Sequence, residues 1–306
     1  MERTFRKFSE QITKMIPTGN IHKLYNRYLI AFDKDFHTIS DSTVNQVRKQ
    51  LQPFHHPEPL VSMVVIAHNE APRILACLWS LSEQVTSVPM ELIVVNNNST
   101  DMTEDILKTL DVVYYNETRK GPGFARQCGL DHAKGKYIIC IDADTLYPSH
   151  YVTTHLKSLQ RTDVSCAFSL WSFLPEQKQS KFSLLIYEAF RDFYLMLQYI
   201  RRPELCVRGM VFSFKSEYAK QIGFRTDIIR GEDGSLALAL KQHGKIAFIR
   251  DRRARAITGH GTLGADGSLF NSFKIRLLKA IKSFPSLFSR TTKYRDEESN
   301  LIDKTK

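Results

Sequence analysis

An α/β fold with a mostly parallel central sheet and helices on both faces is what the sequence predicts, on three observations. Between Leu60 and Ile141, short Val- and Ile-rich runs alternate with segments of helical periodicity. Past their first residue or two those runs are apolar and not alternating, as expected of strands covered on both faces. The last of them, Lys136–Ile141, gives way to two carboxylates one residue apart, Asp142 and Asp144, and strand ends of open α/β sheets are where ligands bind. In order, strands are expected at Val61–Ala67, Glu91–Val95, Val112–Tyr115 and Lys136–Ile141, with helices at Arg73–Gln84, Thr103–Leu110 and Gly123–Ala133. After Asp144 the pattern predicts a helix over Pro148–Gln160, a strand over Ser165–Ser172 and a long aromatic-rich helix around Phe182–Tyr199. A strand at Val207–Lys215, a helix at Leu236–His243 and a strand at Ile246–Ile249 complete it. No internal repeat is present.

This unit, residues 60–266, is flanked on both sides. Residues 1–59 read as a peripheral helical extension, with Phe5, Phe8, Ile12 and Ile16 at helical spacing and a second helix over Ser42–Leu51. The cluster Pro53–Pro59 reads as its linker. Residues 267–306 form a basic amphipathic tail, in which Phe270, Phe273, Leu277, Ile281 and Phe284 follow helical spacing while Arg276, Lys279 and Lys282 fall on other faces. That pattern suits an anionic membrane surface or a return onto the main unit.

Composition narrows the function. With 42% hydrophobic and 25% charged residues, the 306-residue chain is globular. Its five cysteines are dispersed and odd in number, which points to reduced thiols and a cytoplasmic setting, and away from a disulfide framework or structural zinc. No stretch reaches the roughly 18 apolar residues of a spanning helix. The net charge of +11 allows nucleic acid, an anionic surface or phosphorylated substrates as partners. No zinc-finger, helix-turn-helix or RNA-binding signature accompanies it, so nucleic acid is set aside.

The candidate site residues cluster where strands end. Carboxylates at i and i+2 of an extended segment lean the same way, toward a hard cation that also takes waters and phosphate oxygens. The alternative for Asp142 and Asp144 is a turn. His68-Asn69-Glu70 ends the first strand and Asn96-Asn97-Asn98-Ser99-Thr100-Asp101 the second, two polar clusters facing one crevice and suited to a nucleoside. The loop from Arg119 to Arg126 holds two glycines and three cations suited to phosphate. Late in the chain, Glu232-Asp233 stands where it either caps the following helix or supplies an acid-base pair.

Together these pieces resemble the family 2 glycosyltransferases, in kind and in order. His68-Asn69-Glu70 stands for a Tyr-Asn-Glu-like triplet, and Val95–Asp101 for a Val-Asp-Asp-Gly-Ser-Thr-Asp-like run. Gly121–Gly129 matches a Gly-x-x-x-Ala-Arg-Asn-x-Gly-like segment, Asp142-Ala143-Asp144 the Asp-x-Asp, and Ile222-Gly223-Phe224 with Gly231-Glu232-Asp233 continue the match. The resemblance covers roughly residues 61–250 and implies an inverting, metal-dependent transferase of the A-type fold, using a nucleotide-diphosphate sugar. It implies donor contacts at Ala67, His68, Asn69, Glu70, Asn97, Ser99, Gly123, Arg126, Asp142 and Ala143, and Mg²⁺ or Mn²⁺ held by Asp144 with Asp142. A late histidine serves some relatives as a further metal ligand, and His260 is the candidate here. Asp233 is implied as the general base, with Glu232 and Gly231 on the acceptor side. Four positions depart from the family: His68 replaces Tyr, Gln127 replaces Asn, and Asn96 and Asn97 replace the paired acids after strand two, the second of which reads a uracil edge in uridine-using relatives. The nucleobase therefore stays open.

Cell-surface polysaccharide or glycolipid assembly is the setting the resemblance implies, with a saccharide or lipid-linked saccharide as acceptor and a place on the inner face of the membrane. Two other readings remain at this point. A nucleotidyltransferase would carry a Gly-rich loop after strand one, where His68-Asn69-Glu70-Ala71-Pro72 stands instead. A catalytically silent sugar- or membrane-binding module would not need acids at 142, 144, 232 and 233.

Overall fold

The computed structural model describes residues 25–175, 181–228 and 230–259. Its main sheet begins with β1 (Val61–Ala67), β2 (Met90–Asn97), β3 (Val113–Glu117) and β4 (Tyr137–Asp142), paired in the order β3-β2-β1-β4 and all parallel. β1, β2 and β4 are buried along almost their whole length, because helices cover both faces. Helix α1 (Asp41–Leu51) precedes the sheet, and α2 (Ile74–Ser82), α3 (Thr103–Leu110) and α4 (Pro122–His132) make the crossovers. Strand order reverses beside β1, so the crevice between the ends of β1 and β4 is the topological switch point.

The second half adds β5 (Thr145–Leu146), α5 (Tyr151–Leu159), β6 (Val164–Ser169), β7 (Trp171–Phe173), α6 (Lys181–Arg201), β8 (Phe212–Lys215), α7 (Ser216–Ile222), α8 (Glu232–Leu240), β9 (Lys245–Ile249) and β10 (Ala256–Thr258). β8 lies antiparallel between β4 and β6, and β9 runs parallel to β6, which completes seven strands. A small sheet, β5-β10-β7, stands apart and carries the segment just after Asp144.

Several expectations shift here. The strand predicted over Ser165–Ser172 is two strands: β6 stays beside β9 through Ser169, and after Leu170 the chain leaves the main sheet so that Trp171 pairs with Ala256. Of the strand predicted over Val207–Lys215 only Phe212–Lys215 is extended; a 3-10 turn, Gly209–Val211, precedes it. The strand placed at Val112–Tyr115 lies at Val113–Glu117. β5, β10 and α7 have no counterpart in the sequence pattern, being too short for periodicity to register.

Residues 25–54 are built into the core and do not form a peripheral extension. Tyr25, Tyr28, Phe32, Val47, Leu51 and Phe54 are all buried, and the Tyr25 hydroxyl donates to the Arg255 carbonyl at 3.1 Å. The Pro53–Pro59 segment is docked as well: Phe54 is buried and His55 bridges Glu91 at the start of β2. The predicted helix around Phe5–Ile16 and the tail from residue 267 lie outside the described residues.

Helix α4 is drawn tightly onto β1. A Cβ at Gly129 would overlap Val64 Cγ1, so the helix axis can approach the sheet only with glycine there. That approach places Arg126, one turn earlier, beneath the end of β4.

Candidate active site

At the switch point lies a cleft of about 780 Å³, lined by Ala67, His68, Glu70 and Asn97, by residues 120–125, by Asp142, Ala143 and Asp144, and by Thr226, Asp227 and Ile228. The Asp142 amide donates to the Tyr147 hydroxyl (3.1 Å), which donates in turn to the Met210 carbonyl (3.0 Å). The end of β4 is thereby tied to the Gly209–Val211 turn. Asp144 is fixed from the other side: Thr145 Oγ1 donates to its Oδ1 at 3.0 Å, and Gly259 N donates to its carbonyl at 3.3 Å.

Negative charge is concentrated on this wall. Burial and the neighbouring Asp142 push the Asp144 carboxyl up to about 6. Burial and the Asp144 charge push Glu70 up to about 7, although Arg73 Nη1 lies 3.2 Å from its Oε2. The wall is thus short of positive charge. Its donors are hard carboxylate oxygens, and relief of their mutual repulsion is what a divalent cation would supply. Among the described residues no three His, Cys, Asp or Glu side chains already converge as a closed metal cage. An open site with two carboxylates, completed by phosphate oxygens and water, is the arrangement Mg²⁺ ordinarily takes. His260 lies outside the described residues.

Behind the cleft floor one guanidinium serves three acids. Arg126, 4% exposed, donates through Nη2 to Asp142 Oδ1 at 2.8 Å and through Nε to Glu232 Oε1 at 3.4 Å; its Nε also lies 2.8 Å from Asp233 Oδ1. The last contact is an ion pair without hydrogen-bond alignment, since Asp233 Oδ1 has no aligned donor. One cation does not neutralise three carboxylates, of which Glu232 and Asp233 are buried and Asp142 reaches the cleft. Burial accordingly pushes the Asp233 carboxyl up to about 8 against the opposing pull of Arg126. Gly209 makes the arrangement possible: a Cβ there would overlap the Arg126 guanidinium and sit 2.7 Å from Asp233 Oδ2.

The site residues expected from sequence divide into three groups. Ala67, His68, Glu70, Asn97, Gly123, Asp142, Ala143 and Asp144 do line the cleft. Asn69 and Ser99 do not; they stitch the two strand-end loops together, with Asn69 N donating to Ser99 Oγ (2.9 Å) and Thr100 N to Asn69 Oδ1 (2.8 Å). Arg126, expected at the donor's phosphates, is enclosed by acids; Glu232 and Asp233 are linked through it to Asp142 on the cleft wall, and Gly231 is not among the lining residues.

Asn97 lines the cleft with its amide already in use. Its Nδ2 donates to the Glu117 and Arg119 carbonyls (3.0 and 2.7 Å) and its Oδ1 accepts from Gly121 N (3.0 Å), so it shapes the phosphate-side loop. His68 Nδ1 lies 2.7 Å from the Asn97 carbonyl, which can only accept, so Nδ1 is the donor that fixes the ring. Gly123 permits close packing, because a Cβ would meet the Arg225 carbonyl. Of the loop's cations, Arg119 pairs with Glu117 at 2.6 Å and lies over Phe124, which leaves Lys120 as the lysine on the cleft wall. Thr226, Asp227 and Ile228 carry no signal in the sequence, since nothing in their order marks a lining segment.

Comparison with known proteins bears on the family and the fold. A glucosyltransferase of Escherichia coli, WfaP, described as acting between UDP-Glc and α-D-GlcNAc-diphosphoundecaprenol, is 30% identical over 114 residues, 36% of this chain and 45% of that protein. TuaG of Bacillus subtilis, a putative teichuronic acid biosynthesis glycosyltransferase, is 30% identical over 122 residues, 38% of this chain and 47% of its own length. The matches thus span less than half the length of these curated relatives. Among solved structures, the mannosyltransferase PcManGT of Pyrobaculum calidifontis, in complex with GDP-Man and Mn²⁺, superposes with a TM-score of 0.55 at 22% identity, covering 79% of this chain and 70% of that one. TarS of S. aureus with UDP gives 0.50 at 16% identity, covering 65% and 60%. The fold is therefore that of the A-type glycosyltransferases. The profile described as glycosyl transferase family 2 matches residues 62–223, more than half of the sequence, and the chain belongs to that family.

Proposed function

We propose that the protein is an inverting, metal-dependent glycosyltransferase that moves a sugar from a nucleotide-diphosphate sugar to an acceptor hydroxyl. The observation that carries this reading is the carboxylate wall of Glu70, Asp142 and Asp144 at the switch point, short of positive charge despite Arg73 and Arg126 and facing a loop that presents Lys120. Asp144, with Asp142, would hold Mg²⁺ or Mn²⁺, and His260 is a proposed further ligand. When bound, the ion neutralises charge on the diphosphate leaving group.

The chain's own residues divide the remaining work. Ala67, His68 and Ala143 bound the nucleoside end of the cleft, and Lys120 offers an ammonium to the phosphates. Asp233 accepts the proton of the attacking hydroxyl at a carboxylate oxygen. Burial pushes that carboxyl up to about 8, so once ionised it is a strong proton acceptor. Attack from the face opposite the leaving group inverts the anomeric centre.

For the acceptor we propose a saccharide or lipid-linked saccharide in cell-surface polysaccharide or glycolipid assembly, on the inner face of the membrane. The names of WfaP and TuaG support that choice. Purified protein should hydrolyse or transfer from at least one of the UDP, GDP, CDP or dTDP sugars with Mn²⁺ and not with EDTA, and NMR should show the inverted anomer. Turnover that is unaffected by EDTA, or a retained anomer, overturns the mechanism.

A further inference from the structure

Helix α6 is inverted in polarity. Its acidic side chains face the protein: Glu188 accepts from Ser172 Oγ (2.9 Å) and Phe173 N (2.7 Å), Asp192 pairs with Arg191 (2.7 Å), and Arg255 reaches both acids. Glu188, Asp192 and Arg255 are buried, so two acids are matched by two guanidiniums. The outward face is apolar instead. Phe182, Ile186, Phe190, Phe193, Leu197 and Ile200 are 69, 42, 58, 40, 43 and 74% exposed, and account for six of the twelve large hydrophobics exposed among the described residues.

Their spacing of four and three residues keeps them on one stripe, about 27 Å long at 1.5 Å per residue. Water does not favour such a stripe, and a contiguous exposed apolar patch marks an interaction surface. The helix cannot span a bilayer, since no described helix is long and apolar enough. It can lie in the plane of one.

We propose that the outer face of α6 is a lipid-docking surface that holds the protein on an anionic bilayer. Charge decides among the occupants. Both acids of the helix are turned inward, so its outer face offers no carboxylate to repel anionic headgroups, and the helix ends on a cation, Arg201. The other end of the stripe carries a basic residue too, Lys181, the first of the helix. Aliphatic and aromatic side chains bounded by basic positions are the pattern of an interfacial helix. A second copy fits less well: paired in parallel, α6 sets Arg201 against Arg201, and paired antiparallel it sets the Lys181 end against the Arg201 end. This surface is independent of the donor chemistry, so its failure and that of the glycosyltransferase reading are separable.

The test uses the full chain and vesicles of phosphatidylcholine with or without phosphatidylglycerol. Wild-type protein should float with the anionic vesicles. The double substitution Phe182→Ser, Ile200→Ser should lower the bound fraction about tenfold or more, two large apolar side chains being removed from the contact. Its melting temperature and its turnover on a water-soluble acceptor should stay at wild-type values. A second probe, Leu197→Trp, should shift its emission to the blue with anionic vesicles once the wild-type emission of the buried Trp79 and Trp171 is subtracted. Undiminished flotation of the double variant, an emission from the introduced indole that vesicles do not move, or equal flotation with phosphatidylcholine alone overturns the proposal. So does light scattering that shows a wild-type dimer which the double variant dissolves without any vesicle binding.

Discussion

Replacing Arg126 by Met keeps much of the side-chain volume and removes the guanidinium shared by Asp142, Glu232 and Asp233. Two of its contacts are at 2.8 Å and the third at 3.4 Å, with the arginine 4% exposed. Breaking one buried pair costs about 3–5 kcal/mol because it leaves a buried charge without a partner. Set against the roughly 5–15 kcal/mol that holds a domain together, the metal-free variant should melt on the order of 10 °C lower at pH 8. The sign of the pH dependence follows from Asp233. Its folded-state value, about 8, lies above the ordinary carboxylate value, so the stability linked to its protonation is present at low pH and is lost as pH rises through about 8. Without the opposing pull of Arg126, Asp233 binds its proton still more tightly, so the deficit should shrink as pH falls from 8 toward 5. Calorimetry in EDTA across that range measures it, and Arg126→Lys should recover only part of the loss, a single ammonium being unable to reach three carboxylates at once. A deficit below about 1 kcal/mol, or one that does not vary with pH, would show that the acids are not electrostatically joined through this residue.

Gly209→Ala should reproduce much of the Arg126→Met phenotype although it removes no charge, because the new methyl occupies the guanidinium's place; a wild-type melting curve would refute the clearance argument. Asp144→Asn should abolish the Mn²⁺-dependent rise in melting temperature while leaving the metal-free fold unchanged. In the wild type, metal affinity should increase from pH 5 to 8 as Asp144, near 6, and Glu70, near 7, release their protons, and calorimetric titration in two buffers of different ionisation enthalpy should register that release. Asp233→Asn should retain donor binding and lose roughly a hundredfold or more in kcat, the usual contribution of a positioned base; lost donor affinity with normal turnover would move Asp233 to the nucleotide pocket.

The parallel half of the fold is legible in the sequence because each element there is long enough for its pattern to stand out, and the crossovers leave no choice of neighbour. The half after Asp144 is not. β5, β7 and β10 hold two or three residues each, and their pairing is imposed by segments far apart in the chain, such as Thr145 with Thr258. In the site, the positions of the acids can be read from sequence, but the use made of the polar residues around them cannot. Asn97 and Asn69 have the composition of ligand-binding residues, yet their partners are main-chain groups of loops that only the fold brings near. The stripe on α6 is open to view in the spacing of Phe182, Ile186, Phe190, Phe193, Leu197 and Ile200. Periodicity alone gives a helix an apolar face without saying which way it points, and the ionic anchor of Glu188, Arg255 and Asp192 is what turns that face outward.

Arg126 gives the site a property that neither acid pair has alone. Asp142 belongs to the wall that faces the donor and Asp233 to the helix that opens the acceptor half, and among the described residues no backbone hydrogen bond joins these two segments. They communicate through one guanidinium held in place by the missing side chain of Gly209. Any positive charge that draws Asp142 toward the cleft must weaken its hold on Arg126 and strengthen the attraction between Arg126 and Asp233. An acid that burial keeps protonated near neutral pH is thereby favoured in its ionised form when the donor side is filled. That direction of coupling suits a base needed only once a donor is in place, and it confines proton acceptance to the occupied site.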